Sequence, residues 1–279
     1  MAVILATISA LMYGCGDFAG GAASRRNSSF TVVLLSQVFG TAAALLAAPL
    51  LGSSALSPFD VLYGALAGLF GAFGLIVLYH GIALTPVAVV SPTAAVVGTL
   101  VPMIFGVAAG EAPSPLMWIG SGICIPAIIM LSYEGSDAVG FQNVKKAVQY
   151  GLVAGLGFGG FFIAISRPSP DAGLWPLVAA RCASVVAVFI VSHARKSTIK
   201  PAPGTLGIIA AAGLFDMGAN IAFMLAAQRG MLIVVSVITS LYPAPTVLLA
   251  RIFFGQKLRK RRIAGLVLAL IGIACISAG

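Results

Sequence analysis

Of the 279 residues only 8% are charged and 60% are hydrophobic, at a mean hydropathy of +1.09. A water-soluble domain draws on roughly 25% charged residues to cover its exterior, so this composition excludes one and makes lipid the solvent over most of the surface. The net charge of +9 sits in short breaks between apolar runs and forms no continuous stripe, which argues against a nucleic-acid partner.

A bilayer crossing takes about 20 mostly apolar residues, and ten such windows follow one another, which predicts an all-α, polytopic membrane protein. The first, 2–23, lacks a basic leader and carries Asp17, so it reads as a retained span and not as a cleaved signal peptide. The second, 30–51, holds Gln37; the third, 59–82, ends with Tyr79 and His80. The fourth, 86–109, contains Pro92 and Pro102, and the fifth, 115–133, starts near Trp118. The longest polar connection, 134–146, separates a first half, 1–133, from a second, 147–279. The sixth window, 147–166, has Gly151, Gly155 and Gly159 at four-residue spacing, a pattern for close helix contact. Its glycines lack the preceding strand that a dinucleotide-binding loop requires. Arg181 lies near the middle of the seventh window, 173–192, and Asp216 near the middle of the eighth, 204–226, with Asn220 one turn further on the same face. The ninth, 231–254, contains Tyr242, Pro243 and Pro245, and the tenth is 263–278.

The two halves repeat. Val89-Val90-Ser91, Gly110, Gly120 and Ser132 recur 145 positions later as Val234-Val235-Ser236, Gly255, Gly265 and Ser277. Five spans per half is an odd count, so the copies are expected to lie inverted in the membrane, an arrangement typical of secondary transporters. Loop charge agrees with this. Odd-numbered loops hold 12 Lys and Arg residues and even-numbered loops only Arg167 and Arg229. The positive-inside rule then assigns the basic loops to the cytoplasm and both ends of the chain to the opposite face.

An ionisable group deep in lipid marks a functional site by default. Arg181 and Asp216 are expected to be partners at equal depth, and Gln37 falls within one residue of the repeat position of Arg181. Two readings stay open: a buried pair that fixes helix register, or a zwitterion site in which the guanidinium takes a carboxylate and Asp216 or Asn220 an amine. Asp17, nearer the basic-loop side, is expected to serve gating or coupling. Tyr79, Tyr242 and Phe161 are expected to line a cavity, with Tyr13, Phe158 and Phe162 as further wall candidates, and His80 as a polar neighbour. Pro92 and Pro102 are expected to break the fourth span as Pro243 and Pro245 break the ninth, with Pro102 and Pro243 as gating positions. Ser91, Thr93, Thr239 and Ser240 stand beside those breaks. Four isolated cysteines, no metal-ligand spacing and no nucleophile–base set give no positive sign of a cofactor, a metal or an enzyme.

The second half of each copy carries Gly-Glu or Gly-Gln, a short break, and Ile-Gly or Ala-Gly early in the last span. Here these are Gly110-Glu111 with Ile119-Gly120, and Gly255-Gln256 with Ala264-Gly265. With ten spans in two copies, the chain resembles the EamA-type members of the drug/metabolite transporter superfamily over essentially its whole length. The resemblance implies a bacterial inner-membrane exporter of small metabolites, with amino-acid exporters, including those for aromatic amino acids, closest to the aromatic and ionic interior seen here. It implies cavity walls from the third, fourth, eighth and ninth spans. The expected function is alternating-access export of small amphipathic metabolites, most readily amino acids, with a small-molecule substrate and the lipid bilayer as partners and a monomer sufficient. A drug or nucleotide-sugar carrier of the same fold, or a non-transporting sensor or scaffold, is the alternative.

Overall fold

The computed structural model describes residues 1–49, 53, 55–84, 87–132, 141–195, 199–254 and 259–279, without the side chains of 29, 79, 82, 83, 87, 88, 92, 132 and 141–143. Eleven α-helices follow in chain order: α1 (Ala2–Ser24), α2 (Ser29–Ala47), α3 (Pro58–Leu84), α4 (Val87–Ala108), α5 (Pro115–Ser132), α6 (Phe141–Ile165), α7 (Trp175–Ala194), α8 (Leu206–Ala227), α9 (Leu232–Thr239), α10 (Pro243–Phe254) and α11 (Lys260–Ala278). One 3₁₀ turn, Pro170–Ala172, precedes α7, and the described residues contain no strand. Among the described residues, nine stretches are long and apolar enough to cross a bilayer, α9 with α10 counting as one, and Pro115–Leu131 is a shorter tenth. Helices are the natural outcome, because lipid offers no partner to a backbone amide and each segment must satisfy its own. Large apolar side chains such as Ile4, Leu46, Ile252 and Leu270 point outward, where lipid meets them.

The ninth span is broken as expected; the fourth is not, which corrects the sequence reading. Pro243 and Pro245 delete two amide donors within one turn and bias Tyr242 and Ala244 away from helical backbone. α9 therefore stops at Thr239, and tight bonds bridge the gap, Leu241 N to Ile238 O (3.1 Å) and Tyr242 N to Thr239 O (3.2 Å). Pro243 then opens α10, where its missing N–H costs nothing. In α4 the prolines stand ten residues apart at 92 and 102, so each removes a single rung and the helix runs on through Ala108. The repeat mates of Pro243 and Pro245 are Gly98 and Leu100, which keep their amides.

Packing is two-fold related between halves. α1 lies on α8 and, in the mate arrangement, α6 on α3; α2 lies on α8 and α7 on α3; α5 pairs with α11. The α5–α11 seam makes the symmetry explicit: a Cβ on Gly120 would sit 2.7 Å from Gly272 O, and one on its mate Gly265 3.3 Å from Ala127 O, the mate of Gly272. Small residues let the helices approach this closely.

Loop contacts join odd to odd and even to even. At the basic end Asn27 accepts from Ala202 N (2.6 Å), and the Arg25 guanidinium lies 4.0 Å over the Phe254 ring. At the other end Asp60 accepts from Ser169 N (2.8 Å), and Arg167 lies 4.8 Å over Phe105. This alternation is what ten crossings require.

Candidate functional site

A cavity of about 640 Å³ occupies the centre of the helix bundle. Its lining comes mainly from the middle and the basic-loop ends of the helices, including Gly20, Gly21 and Ser24 of α1, Leu78 of α3 and Arg262 in the first turn of α11. At the opposite end a plug of fully buried side chains, among them Phe223, Ile165, Leu174 and Ile233, closes the bundle. Phe162 joins this plug, its ring 4.5 Å from that of Phe223. The chamber thus opens toward the basic loops.

α1 and α8 build the polar wall. Gly16 allows them to meet: a Cβ there would lie 3.4 Å from both Ala212 O and Asp216 N. Tyr13 and Asp17 stand one turn apart on α1, and Asp216 and Asn220 one turn apart on α8, so the pairs face the chamber side by side. The Tyr13 hydroxyl donates to Asn220 Oδ1 (2.9 Å), and Asn220 Nδ2 donates to Asp216 O (2.6 Å). Asp17 presents an exposed carboxylate to the cavity.

Arg181 on α7 reaches behind this wall. One of its Nη groups donates to Asp216 and the other to Gln37 on α2, and Ser184 Oγ donates to Gln37 Oε1 (3.2 Å). The guanidinium is buried, its side chain 8% exposed, whereas that of Asp216 is 37% exposed. The network therefore turns its anion more fully to the chamber than its cation, and both belong to the lining. A charge in low dielectric persists only with partners such as these.

Four expected residues come together here: Arg181, Asp216, Asn220 and Gln37. Tyr242 lines the break between α9 and α10, its ring 6.2 Å from that of Tyr13, and Pro243 lines it as well. Phe161 and Asp17 also face the cavity, as do Ser91 and Ser240. Two expectations are corrected. His80 packs edge-on against Tyr150 of α6, centroids 5.6 Å apart, and is not in the lining, because it falls on the face of α3 turned to α6. Pro102 is buried within α4 and does not reach the chamber. The Tyr79 side chain, and Gln256 of the second break, lie outside the described residues.

Glu111, known from the sequence only as part of the Gly110-Glu111 motif, has a structural role. Gly110 ends α4 in left-handed backbone (φ 88°), with Glu111 N bonded to Gly106 O (2.9 Å) and Gly110 N to Val107 O (3.0 Å). This turn aims the Glu111 carboxylate at the start of α9, where it accepts from Leu232 N (2.7 Å) and Ile233 N (2.9 Å). Gly106 clears the way, since a Cβ there would lie 2.6 Å from the carboxylate. The Gly-Glu pair is thus a helix end joined to a cap for another helix; Ser184 and Thr246, whose hydroxyl donates to Gly14 O (3.1 Å), likewise carried no signal beyond being hydroxyls in apolar runs. No group of metal-ligating side chains occurs among the described residues.

Comparison with known proteins places this geometry. The profile of a family described as the EamA-like transporter family matches residues 1–133 and again 145–278. No curated protein matches the sequence. Among solved structures 29 chains match. One, titled only "Crystal structure of protein", shares 17% identity at a TM-score of 0.83, covering 99% of this chain and 96% of that one, and so has the same fold.

Proposed function

This chain belongs to the EamA-like transporter family, a family of multi-pass membrane transporters of the drug/metabolite type, and we propose that it exports small amphipathic amino compounds by alternating access through the central cavity. The observation that carries this reading is the juxtaposition of two cavity-facing carboxylates, Asp17 and Asp216, with the aromatic side chains Tyr13, Tyr242, Phe158 and Phe161. A chamber of about 640 Å³ falls within the ~300–1,000 Å³ range of small-molecule sites. Asp17 and Asp216 receive the amine, and the aromatic rings hold the apolar body and stack on the cation. Amino acids, aromatic ones included, satisfy both demands if their carboxylate takes Arg181 in place of Asp216. Drug-like amines satisfy them without that exchange. A nucleotide-sugar fits poorly, because its phosphates meet two carboxylates and one guanidinium already in use.

On this reading the basic loops lie in the cytoplasm of a bacterial inner membrane, so the chamber is open to its cargo. The halves divide across 134–146. One five-helix half rocks against the other, hinged where α9 gives way to α10, with Asp17 and Pro243 at the moving seam. One copy of the chain suffices, since the chamber is complete within it.

The test is efflux from proteoliposomes loaded with labelled amino acids and amines. Saturable flux above that of protein-free vesicles is expected for aromatic amino compounds. No flux for any member of the panel, from protein that is folded and inserted, would contradict the proposal.

A further inference from the structure

The repeat offset of 145 lets each cavity residue be compared with its mate. Tyr13 and Asp17 of α1 correspond to Phe158 and Phe162 of α6, and Asp216 of α8 corresponds to Gly71 of α3. All of these line the cavity. Two walls related by the symmetry of the bundle therefore differ completely in chemistry, one ionic and one apolar. On the apolar wall, a Cβ on Gly71 would lie 3.3 Å from the Phe161 ring, and one on Gly98 3.3 Å from the Phe158 Cβ, so bare backbone at both positions lets the aromatic side chains of α6 lie close against α3 and α4.

The charges at the depth of these walls do not cancel. Asp17 and Asp216 contribute two negative charges and Arg181 one positive, and both Nη groups of Arg181 already have acceptors, Asp216 and Gln37. Arg262, the other cation of the lining, stands at the mouth in the first turn of α11. Among the described residues, a solute centred between the walls meets one carboxylate beyond the Arg181–Asp216 pair and no guanidinium with its Nη groups free. Charge is balanced there by one cation, and a carboxylate on the solute would face Asp17 and Asp216 in a chamber of low dielectric.

We infer that the cargo is an aromatic or similarly flat apolar compound bearing one cationic amine and no carboxylate, lying with its ammonium against α1 and α8 and its ring against α3 and α6. This rests on the transport reading above and narrows it: an amine is preferred over the amino acid of the same body, and the head-to-tail orientation is fixed by the walls. Tyr13 and Tyr242 flank the ammonium, and Asp17 is the specificity-determining residue.

Phenethyltrimethylammonium and the betaine of phenylalanine test this, because they differ by one carboxylate and neither crosses lipid unaided. Flux of each, and of phenylalanine, is measured in proteoliposomes holding the full chain or its Asp17→Asn variant. Detergent-solubilised samples of both are melted with and without each probe. The expectation is flux of phenethyltrimethylammonium at least tenfold above that of the betaine, matched by selective thermal stabilisation, with the preference lost in Asp17→Asn while the variant still folds. Equal or faster movement of the betaine or phenylalanine would overturn the assignment and leave transport standing. So would an unchanged preference in Asp17→Asn. Absence of flux for all three compounds would remove the transport reading and this proposal together.

Discussion

The wall formed by α1 and α8 and the wall formed by α6 and α3 share one skeleton and have opposite chemistry. Gly213 on α8 and its mate Gly68 on α3 make equivalent close approaches, the first to the Ser36 carbonyl of α2 and the second to the Ala180 carbonyl of α7; a Cβ at either would collide with backbone. Helix spacing is therefore held by the same device in both halves. The residues that line the chamber from that spacing are Tyr13, Asp17, Asp216 and Asn220 on one wall and Phe158, Phe162, Gly71 and Leu75 on the other. A duplicated fold has kept its backbone contacts in both walls and placed its ionic chemistry in only one of them, the wall that joins α1 of the first copy to α8 of the second. An amphipathic solute needs such a chamber, with a place for each of its ends.

Breaking the ionic wall should have the largest effect. Asp216→Ala leaves Arg181, 7% exposed, with Gln37 as its remaining acceptor, and loss of one partner of a buried pair costs about 3–5 kcal/mol. A large drop in melting temperature is expected. Replacing both members, Arg181→Leu with Asp216→Leu, should recover most of that stability while flux stays abolished. Full flux in the double variant would mean that the pair only sets helix register.

Next come the symmetric contacts. Gly68→Ala and Gly213→Ala should each cost about 1–3 kcal/mol by overpacking, and the two values should agree within about 1 kcal/mol, whereas Gly21→Ala, with open space around its Cβ, should be silent. Thermal melts of the three variants check this, and strongly unequal values for the first two would show that the halves are not packed alike. Glu111→Gln brings the first break to the composition of the second, where Gln256 stands. Weakening a charged cap on α9 should cost about 1 kcal/mol, read as a melting shift, and should change flux more than Tyr13→Phe does. The Tyr13 change is the mildest, removing a single hydrogen bond to Asn220 worth about 0.5–1.5 kcal/mol.

Hydropathy was enough to find the helices, because a segment that crosses lipid must be apolar along its whole length, and the ends fell within a few residues of those seen except at α6, which begins at Phe141, six residues inside the stretch read as a polar connection. The break in the ninth span was legible in a proline pair two residues apart; the same logic failed in α4, where isolated prolines bend a ladder without ending it. The union of Arg181 with Asp216 followed from depth, and Gln37 from the repeat offset, since both encode position across the membrane. Rotation about a helix axis is less well encoded when every face is apolar. His80 was accordingly drawn toward the chamber when it faces Tyr150. The Glu111 cap joins residues 121 positions apart, a contact that a local motif cannot announce, although the Gly110-Glu111 pair marked where it begins.

The central claim is a chamber closed at one end and open toward the basic loops, from which cargo is taken. Gly21 lines that opening and has room for a side chain, so Gly21→Cys in a chain whose four native cysteines are replaced offers the most direct measurement. A membrane-impermeant maleimide added from the face that carries Arg25 and Lys260 should label it, more slowly in the presence of a transported amine, and reagent at the other face should label it far more slowly. Labelling only from the opposite face, or indifference to cargo, would contradict the account.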